Sequence, residues 1–155
     1  MLPSLGLPTR KGPRPRTTPT NPHTQLDQNP SKEMHQKLAK RLFELPAIVE
    51  EPSGISVPGS RALVVEPNRR VGPRDAFLIN REFAHVHPPS DGSLHVALPP
   101  PIVEEVMDNG WAELHPVALR GFIPMNILMV FGPRDDEELE VVMKLVEASR
   151  VRAIP

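Results

Sequence analysis

The stretch "EFAHVHPPSDGSLHVAL", Glu82 to Leu98, decides how this chain folds: two alternating arms flank a Pro-Pro-Ser-Asp-Gly break, and three of the six histidines fall within eleven residues. Successive strand residues point to opposite faces, so His85 and His87 share one side and Val86 takes the other. A five-residue turn over Pro88 to Gly92 sets His87 opposite Ser93 and His85 opposite His95. Those four side chains then project from one face, while Ala84, Val86, Leu94, Val96 and Leu98 form an apolar face. Opposed Cβ atoms lie ~5 Å apart and diagonal ones ~7 Å, close enough for three imidazoles to converge on one ion or one ligand oxygen.

The apolar face needs cover, and the flanking sequence supplies it. On the C-terminal side, Ile102, Val103, Val106 and Met107 in "PPIVEEVMD" predict a short helix ended by Asn109-Gly110. Trp111 to His115 reads as a short strand. "NILMVF", Asn126 to Phe131, is a continuous apolar run of strand length, which predicts a central strand covered on both faces. Asp135 and Glu138 then have capping-box spacing, and Leu139, Val142, Met143 and Val146 form the buried stripe of a last helix. On the N-terminal side, "RALVVE" (Arg61 to Glu66) and "AFLI" (Ala76 to Ile79) read as strands. Ser31 caps a helix whose stripe is Met34, Leu38, Leu42 and Leu45, stopped by Pro46.

The order helix, four strands, helix, two strands, helix predicts an α+β fold: a mainly antiparallel sheet of about six strands with helices packed on it, in one domain. Its bounds are residues 31–150, followed by a tail at 151–155. Before it, prolines 3, 8, 13, 15, 19, 22 and 30 break any hydrophobic period, so residues 1–30 are expected to be a disordered, Pro-rich basic arm. That reading leaves His23 in the arm and His35 on a helix surface, both without a role.

Composition narrows the chemistry. With no cysteine, thiolate metal sites, iron–sulfur clusters, disulfides and cysteine nucleophiles are excluded, so a metal must be held by His and carboxylate. No apolar run approaches the ~20 residues of a membrane span, and basic residues follow rather than precede the weakly apolar N-terminus, the wrong order for a secretory signal. A cytoplasmic address is the expectation. Net charge is −1, with four basic residues and no acid before residue 21. Four charges spaced by prolines fall short of a nucleic-acid footprint.

His85, His87 and His95 are the metal candidates, with Zn, Fe, Ni or Cu as the divalent ions that imidazole suits. His115 in "GWAELHP" shares a strand face with Trp111 and Glu113, which makes it a fourth imidazole and Glu113 the carboxylate candidate. Strict alternation sets Glu82 on the wrong face. Ser93 and Arg134 complete the candidate ligand-binding set, as a hydrogen-bonding partner and an anion contact. "PSGISVPGS" lacks the spacing of a phosphate loop, and no flavin or nucleotide motif is present.

"PGSRALVV", "EFAHVHPPSDGSLHVALP", "GWAELHP" and "VFGPRDDEELEVV", in this order, resemble the small luciferase-like domain family of bacterial and fungal proteins. The resemblance covers roughly Ser31 to Arg150. It marks His85, His87, Asp91, Gly92, Ser93, His95, Trp111, His115, Pro116, Arg134, Asp135, Glu138 and Leu139 as the positions matching the family's motifs. The family's name implies light-emitting oxidation, while the barrel of ~250 residues used by flavin-dependent luciferases is beyond this chain's length. The expectation is thus a histidine-lined sheet face binding a small polar ligand or divalent metal, with catalysis there left open. The alternative is a non-enzymatic binding or regulatory module in which the histidines form a pH-sensitive structural network and the arm contacts a partner.

Overall fold

Six strands form one antiparallel sheet in the order β1-β2-β3-β4-β6-β5 in the computed structural model, which describes residues 4–155. The strands are β1 (Ile48–Pro52), β2 (Arg61–Val65), β3 (Glu82–Val86), β4 (Leu94–Ala97), β5 (Ala112–Leu114) and β6 (Ile127–Val130). Helices α1 (Lys32–Phe43), α2 (Val103–Asp108) and α3 (Asp136–Ala153) complete an α+β domain. Residues 1–3, where the expected arm begins, lie outside the described residues.

Local chemistry sets the helix ends. Ser31 accepts from the Met34 N–H at 3.1 Å, and Asp135 accepts from the Glu138 N–H at 2.9 Å; either cap stabilises its helix by about 1 kcal/mol. Glu138 reaches back one residue further than a standard capping box, to the Arg134 N–H and guanidinium. The α3 stripe of Leu139, Val142, Leu145 and Val146 packs on β3 and β4, whose Ala84, Val86, Leu94 and Val96 are completely buried. Burying each Leu or Val there contributes about 1.5–3 kcal/mol. Ser149 Oγ, inside this interface, donates to the Ala97 carbonyl at 2.7 Å. β6 is paired on both sides and buried at every residue, although it stands one place from the sheet edge rather than at the centre.

Three expectations give way. Ala76 to Ile79 is no strand: Arg74–Ala76 is a 3-10 turn after Pro73, and only Ile79 bridges, to Glu82, across a tight turn at Asn80. Ala76 and Phe77 are apolar because they fill the core. The sixth strand is instead Ile48–Pro52, which hides its period because an edge strand leaves Val49, Glu50, Glu51 and Pro52 in solvent. His35 is buried on α1 and meets the His87 carbonyl through Nε2 at 3.0 Å.

The proline-rich segment also departs from expectation. From Ser4 onward it lies against the domain. Glu105 accepts from the Leu5 and Leu7 amides, the Asn109 carbonyl from the Arg10 amide, and Trp111 Nε1 donates to the Pro8 carbonyl. Leu7, Arg10, His23 and Gln25 are buried. The Gly132 amide donates to Gln25 Oε1, and Pro30 fills the space where side chains at Gly92 and Gly132 would begin. Prolines remove donors without removing acceptors, so this segment satisfies its backbone through distant side chains, a pattern with no local signal.

Candidate metal centre

Strand register builds the site. Ala62, His85, His95, Met129 and Glu113 stand in one row across β2, β3, β4, β6 and β5, and all therefore face the same way. His85 lies directly opposite His95, and the His87 amide donates to the Ser93 carbonyl, closing the five-residue turn Pro88 to Gly92. Asp91 shapes that turn by accepting from the Ser93 amide at 3.0 Å and the Ser93 hydroxyl at 2.6 Å.

A bulge supplies what alternation denied. Leu63 pairs with Ala84 but Val64 pairs with Glu82, so Phe83 is the extra residue and Glu82 is turned onto the histidine face. Its Oε2 lies 2.8 Å from His85 Nδ1, and its oxygens also accept from Ser53 Oγ and the Gly54 amide. The judgement that Glu82 faces away is thereby reversed.

The imidazole nitrogens converge on His95. Its Nδ1 lies 3.2 Å from His85 Nε2 and 3.1 Å from His87 Nε2; its Nε2 lies 3.0 Å from His23 Nδ1. The outer nitrogen of each neighbouring ring meets an oxygen. His85 Nδ1 faces Glu82, His23 Nε2 faces Glu113 at 2.8 Å, and His87 Nδ1 faces Ser93 Oγ at 2.9 Å and Asp91 Oδ2 at 3.2 Å. The Ser93 hydroxyl donates to Asp91, so it accepts from His87.

Carboxylates only accept, and a neutral imidazole carries one N–H. Each outer nitrogen therefore holds the hydrogen, and His85 Nε2, His87 Nε2 and His23 Nδ1 present lone pairs. With its own hydrogen on Nε2, donating to His23, a neutral His95 turns its Nδ1 lone pair toward the other two. In that tautomer three lone pairs meet: His95 Nδ1 lies 3.1 and 3.2 Å from the other two nitrogens, and all three lie within 4.8 Å of one another. Tetrahedral zinc with bonds of ~2.0–2.1 Å sets its nitrogens ~3.3 Å apart, close to the two separations measured from His95.

Burial favours neutral rings. Desolvation pushes His95 well below the usual histidine range, with the surrounding imidazoles adding to it. It pushes His85 down too, against the pull of Glu82. Burial would raise Asp91 and Glu113, but hydrogen bonds from His87 and Ser93 to the first, and from His23 and Thr17 to the second, hold both below the ordinary carboxylate range. His115 is lowered to about 4, first by desolvation and then by His23.

The candidate residues divide accordingly. His85, His87 and His95 form one buried set able to hold a metal ion. His23, His95 and His115 also lie close enough. In that second set the Val117 amide donates to His115 Nδ1 at 3.2 Å, which occupies that nitrogen's lone pair and puts the ring hydrogen on Nε2. Glu113 reaches the cluster only through His23. Ser93 orients His87. Arg134 is elsewhere, paired with Glu138 and bonded to Gln28 and the Lys11 carbonyl.

The histidines floor a pocket of about 540 Å³. Its walls are Pro22, Ile55, Val57, Leu78, Val117, Ile123 and Ile127, with Asn21 and Ser56 at the side. No Lys, Arg, Asp or Glu lines it among the described residues. Sequence reasoning missed His23, for which no local signal exists, and Glu82, which only the bulge reveals.

Residues 80–149 match the family model described as "Luciferase domain". The chain is 32% identical to the "Luciferase" proteins of Armillaria gallica and Armillaria ostoyae, over 92% of its own length and 59% of theirs. It is 34% identical to the "Luciferase" of Neonothopanus nambi over 72% of this chain and 37% of that protein. The chain thus spans less than two thirds of the length of these relatives. No solved structure matches it. Among the described residues, no helix is long and apolar enough to cross a membrane.

Proposed function

This chain belongs to the luciferase-like domain family, and on that footing we propose that His85, His87 and His95 bind a divalent metal ion at the floor of a pocket for a small molecule. One observation carries the reading: three imidazole nitrogens converge while the outer nitrogen of each ring meets Glu82, Ser93 and Asp91, or His23. That is the arrangement by which proteins fix the tautomer of metal-ligating histidines. Three neutral nitrogens leave the ion at least one position for water or ligand, the pattern of reactive rather than structural zinc sites.

The pocket supports a small, largely apolar ligand whose polar end meets the ion. Its walls offer no charged side chain, so the ion would supply the principal charge in the site. The relatives' name, luciferase, directs the search for a substrate toward oxidisable small molecules. Imidazole chemistry and the open position are compatible with catalysis there.

Metal analysis of the purified chain, followed by thermal unfolding with and without chelator, tests the proposal. Near-stoichiometric metal, and a melting temperature that falls when it is removed, is the expected result. Substoichiometric metal with unchanged melting would sink it and favour a purely structural histidine network.

A further inference from the structure

The segment before residue 31 carries a group that meets the histidine cluster. His23 lies on a loop closed by the Thr17 to Gln25 bridge and by hydrogen bonds that the Thr18 and Leu26 amides donate to the Thr24 and Arg16 carbonyls. The loop sets the His23 ring, almost completely buried, 3.0 Å from His95 across 72 residues of chain. Behind the ring stands Glu113, itself held by the Thr17 hydroxyl at 2.7 Å.

His95 differs from the other two proposed ligands in this respect. His85 and His87 have their outer nitrogens fixed by groups of their own hairpin, Glu82 for one and Ser93 with Asp91 for the other. Among the described residues, His95 Nε2 has only His23 as a hydrogen-bond partner. Without an acceptor there, the ring has no reason to keep its hydrogen on Nε2 and its lone pair on Nδ1.

We infer, resting on the metal-binding reading, that His23, backed by Glu113, is a positioning residue for that centre: it holds His95 in the tautomer whose Nδ1 faces the ion. The geometry is one-directional. Glu113 accepts from His23 Nε2–H, which fixes the lone pair on His23 Nδ1, and that lone pair accepts from His95 Nε2–H. The site is therefore assembled from two parts of the chain, the hairpin that supplies ligands and the N-terminal segment that orients one of them.

Co(II) titrated into the full chain, followed by its visible absorption, tests this. The unaltered chain should take up one equivalent. His23→Leu, which fills the space without an acceptor, should weaken Co(II) binding by about 10–100-fold and alter the absorption band, the range seen when such outer partners are removed. His23→Asn, whose amide oxygen falls near the position of Nδ1, should recover most of the affinity. Glu113→Ala should lose affinity in the same direction but less, and it decides the matter if His23→Leu does not fold. Unchanged affinity in His23→Leu and Glu113→Ala would overturn the inference, as would equal losses in the Leu and Asn variants. Two ions per chain, one of them lost in His23→Leu, would also overturn it, because His23 would then be a ligand. No Co(II) uptake by the unaltered chain would sink the metal reading itself and this inference with it.

Discussion

Glu82 Oε2 lies 2.8 Å from His85 Nδ1, although the two residues stand three apart in one strand, a spacing that sets side chains on opposite faces of an unbroken pleat. The bulge at Phe83 reconciles them. It also buries Phe83 against the helices while Glu82 turns to the polar side, so one irregularity serves both faces of the sheet.

Glu82→Ala is therefore expected to free His85 to adopt either tautomer. Its Zn(II) affinity, read by competition with a chromogenic chelator, should drop about 10–100-fold. Affinity equal to that of the unaltered chain would remove Glu82 from the site.

The neutral cluster makes acid costly. His85, His95 and His115 all have folded-state values below those of the unfolded chain, so the unfolded state binds protons first as pH falls. Stability is complete above about 6.5 and is lost progressively as pH drops toward about 4, the value to which His115 is lowered. Denaturant midpoints of the metal-free chain should decline across that window. A flat profile from pH 7 to 4.5 would contradict the buried, neutral assignment.

Legibility in the sequence followed locality. Helices α1 and α3 announced themselves because cap and stripe lie within a few residues of each other, at Ser31 with Met34 and Leu38, and at Asp135 with Glu138 and Leu139. The hairpin was readable because period and turn length together set its register. What stayed hidden depends on distance: His23 meets His95 only in the folded chain, and the edge strand Ile48–Pro52 has too little burial to impose a period. "AFLI" misled because apolar residues in a core-filling turn look like a strand when read alone.

Gly92→Ala should be destabilising on two counts. Its φ is +78°, a left-handed conformation that favours glycine, and a Cβ there would lie 2.3 Å from Pro30 Cγ. Relieving that overlap should cost about 1–3 kcal/mol, measured by urea unfolding. A loss within error would mean that Pro30 moves aside freely.

Asp135→Ala removes the oxygen that receives the Glu138 amide at the start of α3. A loss of about 1 kcal/mol is expected, with metal affinity unaltered, because the cap lies outside the histidine pocket. Equal stability of the two proteins would show that Glu138 and Arg134 alone hold that helix end.

Pro30, wedged against Gly92 and Gly132, bears on how this protein is handled at the bench. Its proline-rich leader invites deletion, the usual first step toward crystals or clean spectra. A fragment begun at Ser31 would forfeit a wall of the cavity, the hydrogen-bond partner that His23 gives His95 Nε2, and the ring seated between two glycines. Trimming to the obvious boundary would yield a different protein, and a negative assay on it would say nothing about the whole.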